Sequence, residues 1–283
     1  MKVYCYFHND DLDGWSSSAV VKRKHPDAEF YGYNYEPDFP LVEGYDIVYM
    51  VDCSTTSENM KKLMEKNKKF VWIDHHAKKI LDTYKDLGED IPGLRDIDSK
   101  HSACVLTWKY LFPDDTSIPR VLSLIEDLDI WKWKKTFTDE VNTALFIDHS
   151  EDRDYLIHIM DQKKWYQEWP KIKSTGTTYI KMRKHQIQLL IKLMKIKTFH
   201  GYKTAIVNSP IHISFLGNKI LEQNRDIDVA LIWYNKDNDI RISLRSRTVD
   251  VSKIARKYGG GGHYLASGFR LSINDKASQD VYL

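Results

Sequence analysis

Three short stretches of this chain carry side chains suited to holding divalent cations: His8-Asn9-Asp10-Asp11-Leu12-Asp13-Gly14, the single Asp52, and Asp74-His75-His76. Carboxylates gathered in one place repel one another unless cations neutralise them. Carboxylates mixed with imidazole, and no thiolate, favour Mn²⁺, Mg²⁺ or Zn²⁺ over softer ions. Two such ions about 3.5–4 Å apart can polarise a phosphorus centre and activate a water between them. A pair of ions needs a bridging carboxylate that offers one oxygen to each. Asp52, isolated on its own segment, is the candidate.

The first two stretches also have a purely structural reading. Asp11-Leu12-Asp13-Gly14 suits a turn and a helix cap, and Asp52 before Cys53-Ser54-Thr55-Thr56 suits the cap of a following helix. Two adjacent histidines after an apolar run serve no packing need. The elements that must position these residues decide the matter. Val3 to Phe7, Ile47 to Val51 and Phe70 to Ile73 are apolar runs without polar alternation. Such runs are strands buried on both faces, as in a parallel sheet. Helical patterns over Ser16 to Lys24 and Ser57 to Lys66 lie between them. The alternation predicts a doubly wound α/β domain. In an open parallel sheet the carboxyl ends of neighbouring strands face one crevice. The acidic stretches, each following a strand, should therefore converge there.

Further helices are expected near Ala103–Leu111 and Pro119–Leu128. The second of these ends in Glu126-Asp127-Leu128-Asp129-Ile130-Trp131, where Asp127 and Asp129 are chemically equal and either could be a helix-end polar group. Trp131 and Trp133 could stack a base or pack in a core. From about residue 150 to 197 the pattern is helical, with Ile187, Leu190, Ile191 and Met194 on one face. Strands return at Thr204–Val207, Val229–Tyr234 and Asp239–Leu244, the last two joined by the hairpin-like Asn235-Lys236-Asp237-Asn238. The organisation expected is an α/β catalytic domain over 1–165, a helical connector over 166–197 and a smaller mixed α/β domain over 198–283.

Gly259-Gly260-Gly261-Gly262-His263 follows a helical segment. Glycines without Cβ let successive backbone N–H groups turn toward one anion, and an imidazole beside them can donate to the same phosphate. Arg245, in Ser243-Leu244-Arg245-Ser246-Arg247, can pair phosphate bidentately, or the segment can be a solvated strand end. With 42 Lys+Arg against 40 Asp+Glu, the 283-residue chain has a net charge of +2, which excludes nucleic-acid binding by bulk charge alone. No run approaches the roughly 20 apolar residues of a membrane span. The apolar run at Val3–Phe7 is too short for a signal peptide. Cys5, Cys53 and Cys104 form no C-x-x-C and read as reduced. A cytoplasmic location is expected.

The order His8…Asp11-Leu12-Asp13-Gly14, Val51-Asp52, Asp74-His75-His76, Asp127 and Gly259-Gly260-Gly261-Gly262-His263 resembles the DHH phosphoesterase superfamily. Within it, the chain resembles the branch of small nanoRNases and phosphoadenosine-phosphate phosphatases. The resemblance implies an N-terminal DHH domain, a C-terminal DHH-associated substrate-binding domain, and hydrolysis of phosphoesters with Mn²⁺, Mg²⁺ or another divalent ion being the alternative. It implies metal ligation by Asp11, Asp13, Asp52, His75 and Asp127, with His8 as a sixth ligand. The two residues between His8 and Asp11 depart from the usual pattern, which leaves Asp10 as the alternative to His8. His76 would contact the phosphate beside the catalytic Asp52, and Asp74 would orient the histidines. Arg245, Ser246 and His263, with Gly261 and Gly262, would bind the substrate's far phosphate or nucleotide.

The function implied is two-metal hydrolysis of short oligonucleotides or nucleotide phosphates. Closure about the connector would bring the held substrate to the metals. The competing readings are a polyphosphatase or pyrophosphatase, an exonuclease on longer strands, and a non-catalytic nucleotide sensor. A sensor need not keep a full ligand set. No membrane and no protein partner is implied, and a homodimer is compatible with the sequence.

Overall fold

A computed structural model describes residues 1–274 of the chain. It separates into two compact units, Met1–Ile180 and one beginning at Lys181. The first is built on a parallel sheet in the order β2-β1-β3-β4, with β1 Val3–His8, β2 Glu29–Tyr33, β3 Ile47–Val51 and β4 Phe70–Ile73. Side chains alternate across a strand, so a run buried on both faces must be apolar at every position. Tyr6, Met50 and Trp72 point to one face, where they meet Met60 and Leu63 of α2 (Ser57–Lys66) and Ile80 of α3 (Ala77–Leu87). Phe7, Val51 and Ile73 point to the other. There they join a larger core with α1 (Leu12–Lys24), α4 (Ala103–Leu111), α5 (Arg120–Asp129), α6 (Thr138–Asp148) and α7 (Arg153–Met160). β2 did not stand out in the sequence.

The entry of α1 depends on Gly14. A Cβ there would stand 1.9 Å from the backbone oxygen of His8, so only glycine lets the helix start this close to the end of β1. This contact fixes the distance between His8 and the acidic residues of the first helical turn.

The expected connector is not a separate segment. α8 is one helix over Gln162–Ile191, and the boundary between the units falls inside it, at 180/181 rather than at 165 and 197. The second unit holds a mixed sheet in the order β5-β6-β7-β8-β10-β9. Its strands are β5 Lys195–Phe199, β6 Tyr202–Asn208, β7 Val229–Lys236, β8 Asp239–Ser246, β9 Gly261–Gly262 and β10 Ala266–Ser272. β6 and β7 pair in parallel, and the other pairs are antiparallel. α9 (Ile213–Gln223) packs on Ala230 and Ile232 of one face, and α10 (Val251–Lys257) on Leu231, Leu244 and Phe269 of the other. No helix among the described residues is long and apolar enough to cross a membrane.

Candidate metal centre

β1, β3 and β4 are neighbours, so their carboxyl ends deliver His8, Asp52 and Asp74 to one edge of the sheet. Asp52 follows β3 in the left-handed region, at φ 58, where aspartate is tolerated better than most residues. Its N–H donates to the Ile73 carbonyl at 2.9 Å, which pins the turn to the end of β4. Asp11 is the N-cap of α1 and accepts from the Gly14 N–H at 2.9 Å, so the capping reading of this residue is correct as far as it goes.

The other Asp11 oxygen, Oδ2, lies 2.7 Å from His8 Nδ1. Asp52 Oδ2 is 3.6 Å from the same nitrogen, whereas Asp52 Oδ1 is 3.3 Å from His75 Nε2. His75 Nε2 also lies 3.7 Å from Asp13 Oδ2 and 3.4 Å from Asp129 Oδ2. Overlapping trios result: His8, Asp11 and Asp52; Asp52, His75 and His76; Asp13, His75 and Asp129, each with donor atoms within 4.8 Å of one another. Asp10 is exposed and outside them, so of the two alternatives the geometry brings in His8.

Asp127 is not brought in. Its carboxylate accepts from the backbone N–H groups of Lys134 and Lys135 at 3.0 Å and from Thr138 Oγ1 at 2.6 Å. It clasps the loop after α5. Positions two apart on a helix point about 200° away from each other. With Asp127 turned to the loop, Asp129 faces the cluster. The expectation placed on Asp127 thus passes to its neighbour, for a reason of helical phase.

The surroundings of the trios are themselves ordered. Asp13 is buried and accepts from Ser102 Oγ and from the N–H groups of Ala103 and Cys104 at the start of α4. A helix N-terminus favours negative charge there. Nothing in the sequence around Asp13 pointed to this contact, whose partners lie some ninety positions away. Asp74, fully buried, accepts from the His75 and His76 N–H groups and from His76 Nδ1 at 2.7 Å, which fixes the His76 ring. Tyr35, also unanticipated, packs its ring 5.9 Å from that of His8.

Charge in the cluster is unbalanced. Burial pushes the Asp52 carboxyl well above the carboxylate range, and Asp13 and Asp11 push it further. Burial raises Asp129 as well, again with Asp13 adding to it. Burial opposes protonation of His8, but Asp11 and Asp52 outweigh it and lift His8 to about 11. Both oxygens of Asp52 are buried without a hydrogen-bond partner among the described residues. A buried carboxylate left unpartnered is costly. The donor set is hard, with oxygens and imidazole nitrogens and no sulfur, since Cys53 and Cys104 are buried thiols outside the trios. The residues fit divalent cations.

The substrate residues expected in the second unit divide. Ser246 is buried, its hydroxyl donating to the Asp228 carbonyl at 2.7 Å and accepting from the Val249 N–H at 2.9 Å. It holds a turn and has no free group for a ligand. Gly261 and Gly262 pair with Gly268 and Ser267 as a short strand. The Gly259, Gly260 and His263 N–H groups donate to the carbonyls of Arg256, Ala255 and Ala266, so the run of free N–H groups expected of a nest is not formed. Arg245 donates to Ser214 Oγ at 2.7 Å and to the Leu244 carbonyl, half-buried and without a carboxylate among the described residues. His263 is exposed at a hairpin tip.

Acidic strand ends meeting at the carboxyl edge of a doubly covered parallel sheet define a divalent-cation centre. Residues 2–114 match the DHH family, N-terminal domain, and residues 208–279 match the DHHA1 domain. The chain carries a DHH domain followed by a DHHA1 domain. It is 27% identical to the uncharacterized protein R106 of Acanthamoeba polyphaga mimivirus over 80% of this chain, and spans 53% of that relative's length. It is 26% identical to oligoribonuclease NrnB of Bacillus subtilis, over 97% of this chain and 74% of NrnB. Among solved structures, the pGpG-specific phosphodiesterase PggH of Vibrio cholerae shares the fold with a TM-score of 0.56 at 13% identity, covering 99% of this chain and 96% of PggH. RecJ of Thermus thermophilus in complex with Mn²⁺ does so with a TM-score of 0.56 at 14% identity, covering 98% of this chain and 50% of RecJ.

Proposed function

We propose that this protein is a metal-dependent phosphoesterase that hydrolyses short oligonucleotides, with two divalent ions, Mn²⁺ foremost, bridged by Asp52. One observation carries the reading: each of the two buried, unpartnered oxygens of Asp52 is turned to a different ligand group. His8 and Asp11 would complete one ion's ligands, and Asp13, His75 and Asp129 the other's. Bound cations supply Lewis-acid polarisation of a phosphoryl oxygen and lower the pKa of a bound water. The chain's own residues do the rest. Asp74 engages His76 Nδ1, which leaves Nε2 to meet a phosphate oxygen. Asp13 is held by the start of α4, so its ligating oxygen cannot swing away. The half-buried guanidinium of Arg245 and the exposed His263 would receive a phosphate remote from the reacting one. The oligoribonuclease NrnB and the Mn²⁺ complex of RecJ support the substrate class and the metal.

The test is a substrate panel with Mn²⁺, Mg²⁺ and EDTA: dinucleotides, tetranucleotides, long RNA and DNA, 3′,5′-bisphosphorylated adenosine and polyphosphate. Short oligonucleotides should be cleaved fastest, most strongly with Mn²⁺, and EDTA should abolish cleavage. Preference for polyphosphate would contradict the substrate class while leaving the metal centre standing. Cleavage undiminished by EDTA would contradict the centre itself.

A further inference from the structure

β8 alternates half-buried and buried positions along its whole length, and β10 alternates likewise between buried and more open ones. The buried set faces α10. On the other face lie Arg241, Ser243 and Arg245 of β8, Gly268 and Arg270 of β10, and Tyr234 of β7. α9 covers only the Arg245 end of that face, through Ser214 and the close approach of Gly217. Beyond it the sheet opens into a cavity of about 410 Å³ whose lining includes Tyr234, Arg241, Ser243, Gly259, Gly268 and Arg270.

Arg241 and Arg270 stand directly opposite each other in the β8–β10 ladder. Like charges in that position repel. The Nε of Arg241 is buried and makes no hydrogen bond among the described residues. Asp239 lies two positions along the same face, yet no carboxylate among the described residues forms an ion pair with either arginine. Two arginines paired across the ladder, a buried donor without a partner among the described residues and an open cavity that both arginines line together lack one thing, an anion. Arginine's planar fork suits phosphate in particular. Four residues along the strand stands Arg245, about 13 Å away at the usual strand rise. That is too far for one phosphate to touch both ends.

We propose that Arg241 and Arg270 form a second phosphate subsite, continuing from Arg245 along the open face of the β7–β8–β10 sheet and taking a further backbone phosphate of an oligonucleotide longer than two nucleotides. The subsite rests on the oligonucleotide reading above and extends it: the second unit grips a run of phosphates rather than a single end. It gives a purpose to a like-charged pair that would otherwise only destabilise the sheet.

The experiment is equilibrium binding of labelled 5′-phosphorylated di- and tetranucleotides to the full chain in EDTA, with a salt series, for the wild type, Arg241→Ala and Arg270→Ala. The wild type should prefer the tetranucleotide. In either variant the ratio of tetranucleotide to dinucleotide affinity should fall about ten-fold, and the salt slope for the tetranucleotide should drop by about 0.7 for each phosphate that is no longer neutralised. Melting curves check that the variants are folded. If folded variants leave the ratio and the salt slope unchanged, the subsite is overturned alone. If they weaken both lengths equally, the pair acts on the sheet and not on a further phosphate. If free inorganic phosphate competes at micromolar levels, the pair serves a small anion and the track is overturned. A wild-type protein that binds neither length would overturn the subsite and the oligonucleotide reading together.

Discussion

Replacing Asp52 with asparagine should lower turnover by at least about 100-fold, beyond the 10- to 100-fold typical of residues that merely orient a metal ligand. Asparagine keeps the shape of the side chain and tolerates the left-handed backbone at φ 58, so the turn after β3 should survive. What is lost is the negative charge together with one of the two ligating oxygens. If Asp52 bridges, both ions weaken together in a Mn²⁺ titration, rather than one surviving at wild-type affinity. The metal-free variant should melt no lower than the wild type, because a buried carboxyl repelled by Asp11 and Asp13 has been neutralised. A variant that keeps more than a tenth of the activity, about 1.4 kcal/mol of barrier, would rule out the bridge.

Asp127 and Asp129 should give opposite results under the same change to asparagine. Asp129→Asn should lose Mn²⁺ affinity and most of its activity while melting normally, since among the described residues its carboxylate pairs with His75 of the cluster and clasps no loop. Asp127→Asn should keep metal-dependent activity at low temperature but lose roughly 1.5–3 kcal/mol of stability, because charge-assisted hydrogen bonds from the loop lose their acceptor. Melting curves and Mn²⁺ activation of the two variants make a complete comparison. Loss of metal affinity in Asp127→Asn at an unchanged melting temperature would reverse the assignment.

These two residues also show how far the sequence could be read. β1, β3 and β4 were legible because both faces of each are buried, which forces apolar residues at every position. Their acidic ends followed from the geometry of parallel sheets. β2 was not legible: its Glu29-Phe30-Tyr31-Gly32-Tyr33 is half-buried at the sheet edge and has no continuous apolar run. Asp127 and Asp129 could be separated only by the phase of α5, which depends on what the helix packs against. Ser246 and the glycine run failed in a related way. A hydroxyl or an N–H looks available in a sequence, and only the fold shows that a turn or a hairpin has already engaged it. The connector was legible as helix but not as part of two units, because nothing in the composition marks a boundary inside one continuous helix.

The proposed bridging of two ions by Asp52 is tested most directly by anomalous scattering from crystals saturated with Mn²⁺. Two peaks per chain are expected, one beside His8 and Asp11 and one beside Asp13, His75 and Asp129, with an oxygen of Asp52 directed at each. A single peak at saturating Mn²⁺, or a pair that leaves Asp52 without contact to one of them, would contradict it.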